Sequence, residues 1–224
     1  MNDFAAELGA TDVIDAGHPR LRGLASSCRS AATGRGDLAR RLFEAIRDGV
    51  RYTPYAAFHQ RAAYRASATL ERGRGYCVQK AIALVAAARA AGIPARLVFA
   101  DIVNHRAPES LIAAMGSRVF THHAYAELWL DDRWVQATPA FDRELCAAQG
   151  WPLVEFDGRA DAILPARDAA GRPFVDYTAH HGRFTDLPLE RLLAAWDRVY
   201  GPDRVAQWRQ AIDAGALDRP PSAG

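Results

Sequence analysis

The sequence is poor in cysteine and lysine and has no long apolar run, and each shortage excludes a class of protein. Its three cysteines, Cys28, Cys77 and Cys146, stand far apart with no CxxC pair. That spacing supports neither a disulfide framework nor a zinc knuckle, and the three read as free thiols. Only one of the 28 basic residues is a lysine, Lys80, against 26 acidic residues and a net charge of +2. So small an excess supplies no basic surface for nucleic acid or a membrane. The arginine and alanine bias instead fits a GC-rich bacterial coding preference. No stretch approaches the roughly 18 apolar residues of a membrane span. The opening "MNDFAAELGATDVIDAG" has no basic region followed by an apolar one, so the expected location is the cytoplasm.

What is present is ordinary soluble composition: 224 residues, half of them apolar and about a quarter charged. Such a chain can bury a core without metals or disulfides. No repeat or linker divides it, so one domain is expected over residues 1–212. Its motifs lie in 35–145, the segment 147–212 packs on them, and 213–224 is a disordered tail.

Hydrophobic periodicity predicts helix and then strands. Leu38, Leu42, Phe43, Ile46 and Val50 recur at helical spacing, with Asp37 as candidate N-cap. From Val78 to Ala91 the chain is apolar nearly all round, and Gly92-Ile93-Pro94 is a helix stop, which predicts a helix buried on several sides. "ARLVFADIV" reads as a strand covered on both faces, "NHRAPESLIAAMGSR" as a polar loop, and "FTHHAYAELWL" and "RWVQATPAF" as two strands joined by an Asp131-Asp132 turn. Beyond Cys146, Gly, Pro and Asp predict loops over a surface, followed by the helix "PLERLLAAWDRVYG" and a shorter one.

The chemistry is concentrated around "RGRGYCVQK". A thiol in the first turn of a helix faces unpaired N–H groups and the positive end of the dipole, which favour thiolate. Gly73 and Gly75 permit a close approach by substrate, and the Cys77 amide is a candidate oxyanion donor beside Tyr76. No phosphate loop is present, because Tyr76-Cys77 stands where a Lys-Ser/Thr pair would be needed. The bland alternative is a small buried apolar cysteine. A cysteine nucleophile also needs a histidine. Period-two alternation puts His123, Tyr125, Glu127 and Trp129 on one strand face and His122 on the other, so only one of the two histidines enters the site. If Asp131-Asp132 is a two-residue turn, Tyr125 faces Thr138, and Thr138 becomes a diagonal neighbour of His123 on the same face.

"GYCVQKAIALVAAARAAGIPARL" followed by "HAYAELWLDDRWVQATPAF" resembles the transglutaminase-like superfamily, with "AIRDGVRYTPY" similar to its preceding helix and loop. The resemblance implies an α+β, papain-like core of helices packed on an antiparallel sheet. It places the nucleophile Cys77 at a helix N-terminus, with His123 as general base. Where the family has aspartate in Asp-Pro, this chain has Thr138-Pro139, so the third position is Thr138 as a neutral orienter or Asp142 folding back. The implied activity is that of a cysteine peptidase or amidase on a protein, peptide or amide. A degenerate binding module and a thioester-dependent acyltransferase are the alternatives, and the oligomeric state is not legible. No metal or organic cofactor is expected, and there is no calcium loop.

Other residues have ordinary explanations. Lys80, one turn past Cys77, reads as a solvated surface lysine with stabilisation of the thiolate as the alternative, Glu127 equally as a partner for an arginine such as Arg96 or as a catalytic group, and Trp129 with Trp134 as a cross-strand pair. His180-His181, adjacent in a loop, lacks chelating spacing.

Overall fold

The computed structural model describes residues 3–215. In chain order the elements are α1 (Ala5–Leu8), α2 (Pro19–Ser30), α3 (Arg35–Gly49), β1 (Arg51–Tyr52), α4 (Ala66–Arg72), β2 (Arg74–Gly75), α5 (Cys77–Ala90), β3 (Ala95–Asn104), α6 (Glu109–Met115), β4 (Val119–Leu130), β5 (Arg133–Ala137), α7 (Arg143–Gln149), β6 (Val175–Phe184), α8 (Leu189–Tyr200) and α9 (Pro202–Asp213). The helices pack on a four-stranded antiparallel sheet of order β5-β4-β3-β6, an α+β fold of the papain-like kind. Of the expected tail, Asp213 still closes α9, and residues 216–224 lie outside the described residues.

α5 is the axis of the core. Val78, Ile82, Leu84, Val85 and five alanines of the same helix are fully buried, and the small side chains let α2, α3, α4 and β4 approach on different sides. Gly92 then takes the left-handed conformation (φ 72°) and Ile93 N–H returns to the Ala88 carbonyl, 2.9 Å, which ends the helix. Lys80 departs from its expected place on the surface. It is fully buried in α5 and its ammonium donates to the Arg47 and Val50 carbonyls, so it ties α3 to α5.

The β4–β5 hairpin has the expected two-residue turn. Asp131 and Asp132 both have positive φ (46° and 60°), the type I′ geometry that matches strand twist. The register pairs Leu130 with Arg133, Trp129 with Trp134 and Glu127 with Gln136. Ala124, Ala126 and Leu128 join the helix-side core, whereas Val98, Ala100 and Tyr125 form a small cluster on the other face with Tyr177. Glu127 is buried there and accepts from Arg96 Nε (2.7 Å) and Arg183 Nε (2.9 Å), and the Arg96 guanidinium lies 3.8 Å over the Trp134 ring. Removing one member of a buried ion pair costs about 3–5 kcal/mol, but both arginines keep some solvent exposure here. Glu127→Ala is therefore expected to lower stability by about 2–3 kcal/mol in urea denaturation, with Glu127→Gln losing less.

Three expectations change. Asp37 is not the N-cap of α3. The helix starts two residues earlier, and Asp37 accepts from Thr33 N–H while pairing with Arg40 and Arg41. The loop after β3 contains α6, a short helix ended by Gly116. The segment read as surface loops contains β6, which pairs with β3 over most of its length. Two interruptions of its register blur the alternation that marks a strand.

Candidate functional site

Cys77 opens α5, capped by Tyr76, whose N–H is held by the Gln79 side chain at 3.3 Å. Pairing between β4 and β5 stops at Ala126 with Ala137. Beyond that point the Ala124 N–H faces the Cys77 sulfur instead of a continued ladder. Ala124 follows His123, so one strand edge brings the thiol to the histidine. Both side chains line one cleft of about 390 Å³.

The electrostatics differ from the activated thiolate expected at a helix start. Burial pushes the Cys77 thiol up to about 11, although the N–H groups of Ala124, Val78 and Cys77 itself pull the other way. Burial alone drives the His123 imidazole down to about 3. Burial therefore favours a neutral thiol and a neutral imidazole in the resting pair.

The third position is not closed. Thr138 follows Ala137, the last residue of β5, and its N–H goes to the Ala162 carbonyl (2.8 Å), so the ladder that would set it opposite Tyr125 ends one residue short. His123 Nε2 and Thr138 Oγ are both buried without a hydrogen-bond partner. Tyr177 of β6 packs against His123, 6.0 Å between ring centroids, and its hydroxyl lies against Thr138 while accepting from Leu164 N–H at 3.3 Å. Asp142 is committed elsewhere: it caps α7 through Leu145 N–H (2.9 Å) and accepts Tyr52 N–H (2.7 Å).

Of the remaining sequence-predicted residues, Tyr76 lines the cleft, and Gly75 and Tyr125 do not. Gly75 lies in β2, where a Cβ would meet Gln79 Oε1 at 2.9 Å. It makes room for the helix cap and not for substrate. Gly73 serves as the left-handed stop of α4 (φ 63°). Tyr125 belongs to the cluster on the far sheet face.

Sequence reasoning missed the arrangement beside this pair. Ala100 pairs with His123 and Ile102 with Phe120, so Thr121 and His122 together oppose Asp101. This is a β-bulge, and it puts His122 at φ 57°, a conformation uncommon for a residue other than glycine. On the other side of β3, His181 is the extra residue between Gly182, paired with Phe99, and His180, paired with Ala100. One irregularity opens at Asp101 and the other between Phe99 and Ala100, and the His122 and His181 rings stack 4.1 Å apart and nearly parallel. The strict alternation that kept His122 out of the site fails at this bulge, and His122 lines the cleft with His123. His181 is likewise on a strand, not in a loop, and it meets His122 and Asp101 with their potential ligand atoms within 4.8 Å of one another.

The rest of the lining is mostly apolar, with Asn104, Thr121 and Gln207 as further polar side chains. Tyr52, Phe58, Phe120 and Phe141 meet Trp196 and Tyr200 of α8 and Trp208 of α9, and among the described residues no Asp, Glu, Lys or Arg side chain lines it. The α8 and α9 wall was legible only as helices. Their aromatic residues carried no sign of the surface they would complete.

The sequence model of the transglutaminase-like superfamily matches residues 22–139, which include Cys77, His123 and Thr138. No curated relative matches. Among solved structures, a candidate cysteine protease from Cytophaga hutchinsonii is 16% identical with a TM-score of 0.48, covering 82% of this chain and 54% of its own. The periplasmic domain of TgpA from Pseudomonas aeruginosa is 24% identical with a TM-score of 0.42, covering 59% of this chain and 45% of its own. This chain thus spans about half the length of these two structures.

Proposed function

The chain belongs to the transglutaminase-like superfamily, and from that premise we propose a thiol-dependent acyl-transfer enzyme, a cysteine peptidase or amidase of the cytoplasm acting on a protein, peptide or amide. The observation that carries this reading is the convergence of the Cys77 thiol, at the start of α5, and His123 in one cleft. As the sulfur attacks the substrate carbonyl, His123 accepts its proton. The Cys77 N–H is the oxyanion donor of this reading. The C–N bond then breaks, His123 returns the proton to the leaving amine, and water or an amine releases the acyl group from sulfur. Because the neutral pair is favoured at rest, the proton moves with the attack and not before it.

The test uses p-nitrophenyl acetate with intact mass and peptide mapping. Acetylation is expected at Cys77, absent in Cys77→Ala, and slowed on the order of a hundredfold or more in His123→Ala. The reading falls if Cys77 acetylates no faster than Cys28, a half-buried thiol outside the cleft, or if His123→Ala changes nothing. Those results would support the second reading, a catalytically degenerate binding fold, which the unpartnered His123 Nε2 favours.

A further inference from the structure

The bulge beside the catalytic pair contains a complete hydrogen-bonded relay. Asp101 Oδ1 accepts the Thr121 hydroxyl (2.7 Å), His122 N–H (3.0 Å) and His181 Nε2 (2.6 Å). Burial pushes this carboxyl up, but the donors from Thr121, His181 and His122 outweigh it and hold Asp101 below its ordinary range, as a carboxylate. Thr121 has one hydroxyl proton and gives it to Asp101. Its contact with His122 Nδ1 at 3.0 Å must therefore be made by an N–H of the imidazole. Burial, the largest influence, and the neighbouring His181 drive His122 down to about 4, so the ring is neutral and its second nitrogen carries a lone pair. That Nε2 is neither hydrogen-bonded nor among the buried unpartnered atoms, so it is accessible in the cleft that His122 lines. The parallel His181 ring covers one face of His122 and restricts its rotation.

We infer that His122 is a second imidazole of the active cleft, held as the Nδ1–H tautomer by Thr121 and Asp101 so that Nε2 accepts a hydrogen bond from a neutral N–H donor carried on an apolar or aromatic frame. This names the substrate class for the acyl-transfer reading and rests on that reading of the cleft. The uncharged, aromatic lining excludes a charged group on energetic grounds, since a buried ion needs a partner the cleft does not offer. An acceptor at the edge of an apolar cavity selects for a donor in the same way, because a ligand without one leaves the lone pair dry. His122 is a substrate-holding residue here, and Thr121, Asp101 and His181 position it. The hydrogen bonds that Asp101 Oδ1 accepts from His181 Nε2 and from the His122 N–H account for the proximity of the three residues.

The test is nitrogen-15 NMR of the histidine side chains in the full chain at neutral pH. His122 is expected as the Nδ1–H tautomer in the native protein and in Thr121→Ser, and as the Nε2–H tautomer in Thr121→Val. Phenylacetamide is then expected to shift the His122 Nε2 resonance and to bind about three- to tenfold more tightly than N,N-dimethylphenylacetamide, the value of one neutral hydrogen bond. His122→Ala removes that difference. The inference is overturned by an Nε2–H tautomer in the native protein, by no response of His122 to phenylacetamide, or by equal binding of the two amides. Stoichiometric zinc uptake lost in Asp101→Asn would also overturn it, by making the cluster a metal site. None of these readouts needs acyl transfer, so they can fail while Cys77 acetylates and hold while it does not.

Discussion

Thr138→Asp should raise the alkylation rate of Cys77 at neutral pH by about one to two orders of magnitude. His123 Nε2 is buried with nothing to donate to, and Thr138 directly follows β5 with Tyr177 against both its hydroxyl and the His123 ring. A carboxylate accepting that N–H stabilises the imidazolium by about one to three pH units. Since the obstacle to ionising the pair is burial of both groups, each unit gained by His123 raises the ion-pair population tenfold. The lower nucleophilicity of a less basic thiolate recovers part of that gain for the thiol form. Iodoacetamide labelling followed by intact mass across pH reads the effect directly. The native protein should label slowly at pH 7 and faster toward the raised Cys77 value of about 11. In Thr138→Asp a second, low-pH limb should appear, and adding His123→Ala should remove it. If the double variant keeps that limb, the new reactivity does not come from the imidazole and the assignment of the third position is wrong. Thr138→Asn, which adds an acceptor without a charge, guards against loss of folding and should give a smaller rise.

The pH dependence of stability should show the single lysine. Burial lowers Lys80 from 10.5 to about 8, with Asp142 and Asp48 opposing the shift. Between pH 8 and 10.5 the unfolded chain holds a proton at this site that the folded chain has released, so stability contributed by Lys80 rises with pH across that window. The integrated change is about 3 kcal/mol. The raised thiols Cys77 and Cys146 and the buried tyrosines act in the opposite sense, because the unfolded chain ionises them first. The measurement is therefore the difference in urea unfolding free energy between the native protein and Lys80→Met at pH 7.5 and pH 10.5. It should move by about 3 kcal/mol in favour of the native protein. A constant difference would mean that the Lys80 ammonium is solvated or released only on unfolding.

Both expectations depend on information of different range. The helix around Cys77, its Gly-Ile-Pro stop and the Asp131-Asp132 hairpin were legible because helix period, strand period and turn chemistry act over a few residues. So were the arginine partner of Glu127 and the Trp129–Trp134 contact, which follow once the hairpin register is known. The transglutaminase-like resemblance carried the same local motifs.

Tertiary structure decided the rest, because each remaining feature is set by what packs against it from elsewhere. The helix start by itself favours a thiolate, but burial reverses the outcome, and burial is a property of the assembled cleft. Asp142 looked free to fold back until α7 and Tyr52 claimed both its oxygens. His122 faced away by strict alternation until a bulge, closed by a carboxylate on the neighbouring strand, turned it into the cleft beside a histidine that lies far along the chain. The local sequence thus determined the helix start that carries the thiol and the strand that carries His123. Only the long-range packing of β6, α8 and α9 decided their protonation and the groups they face.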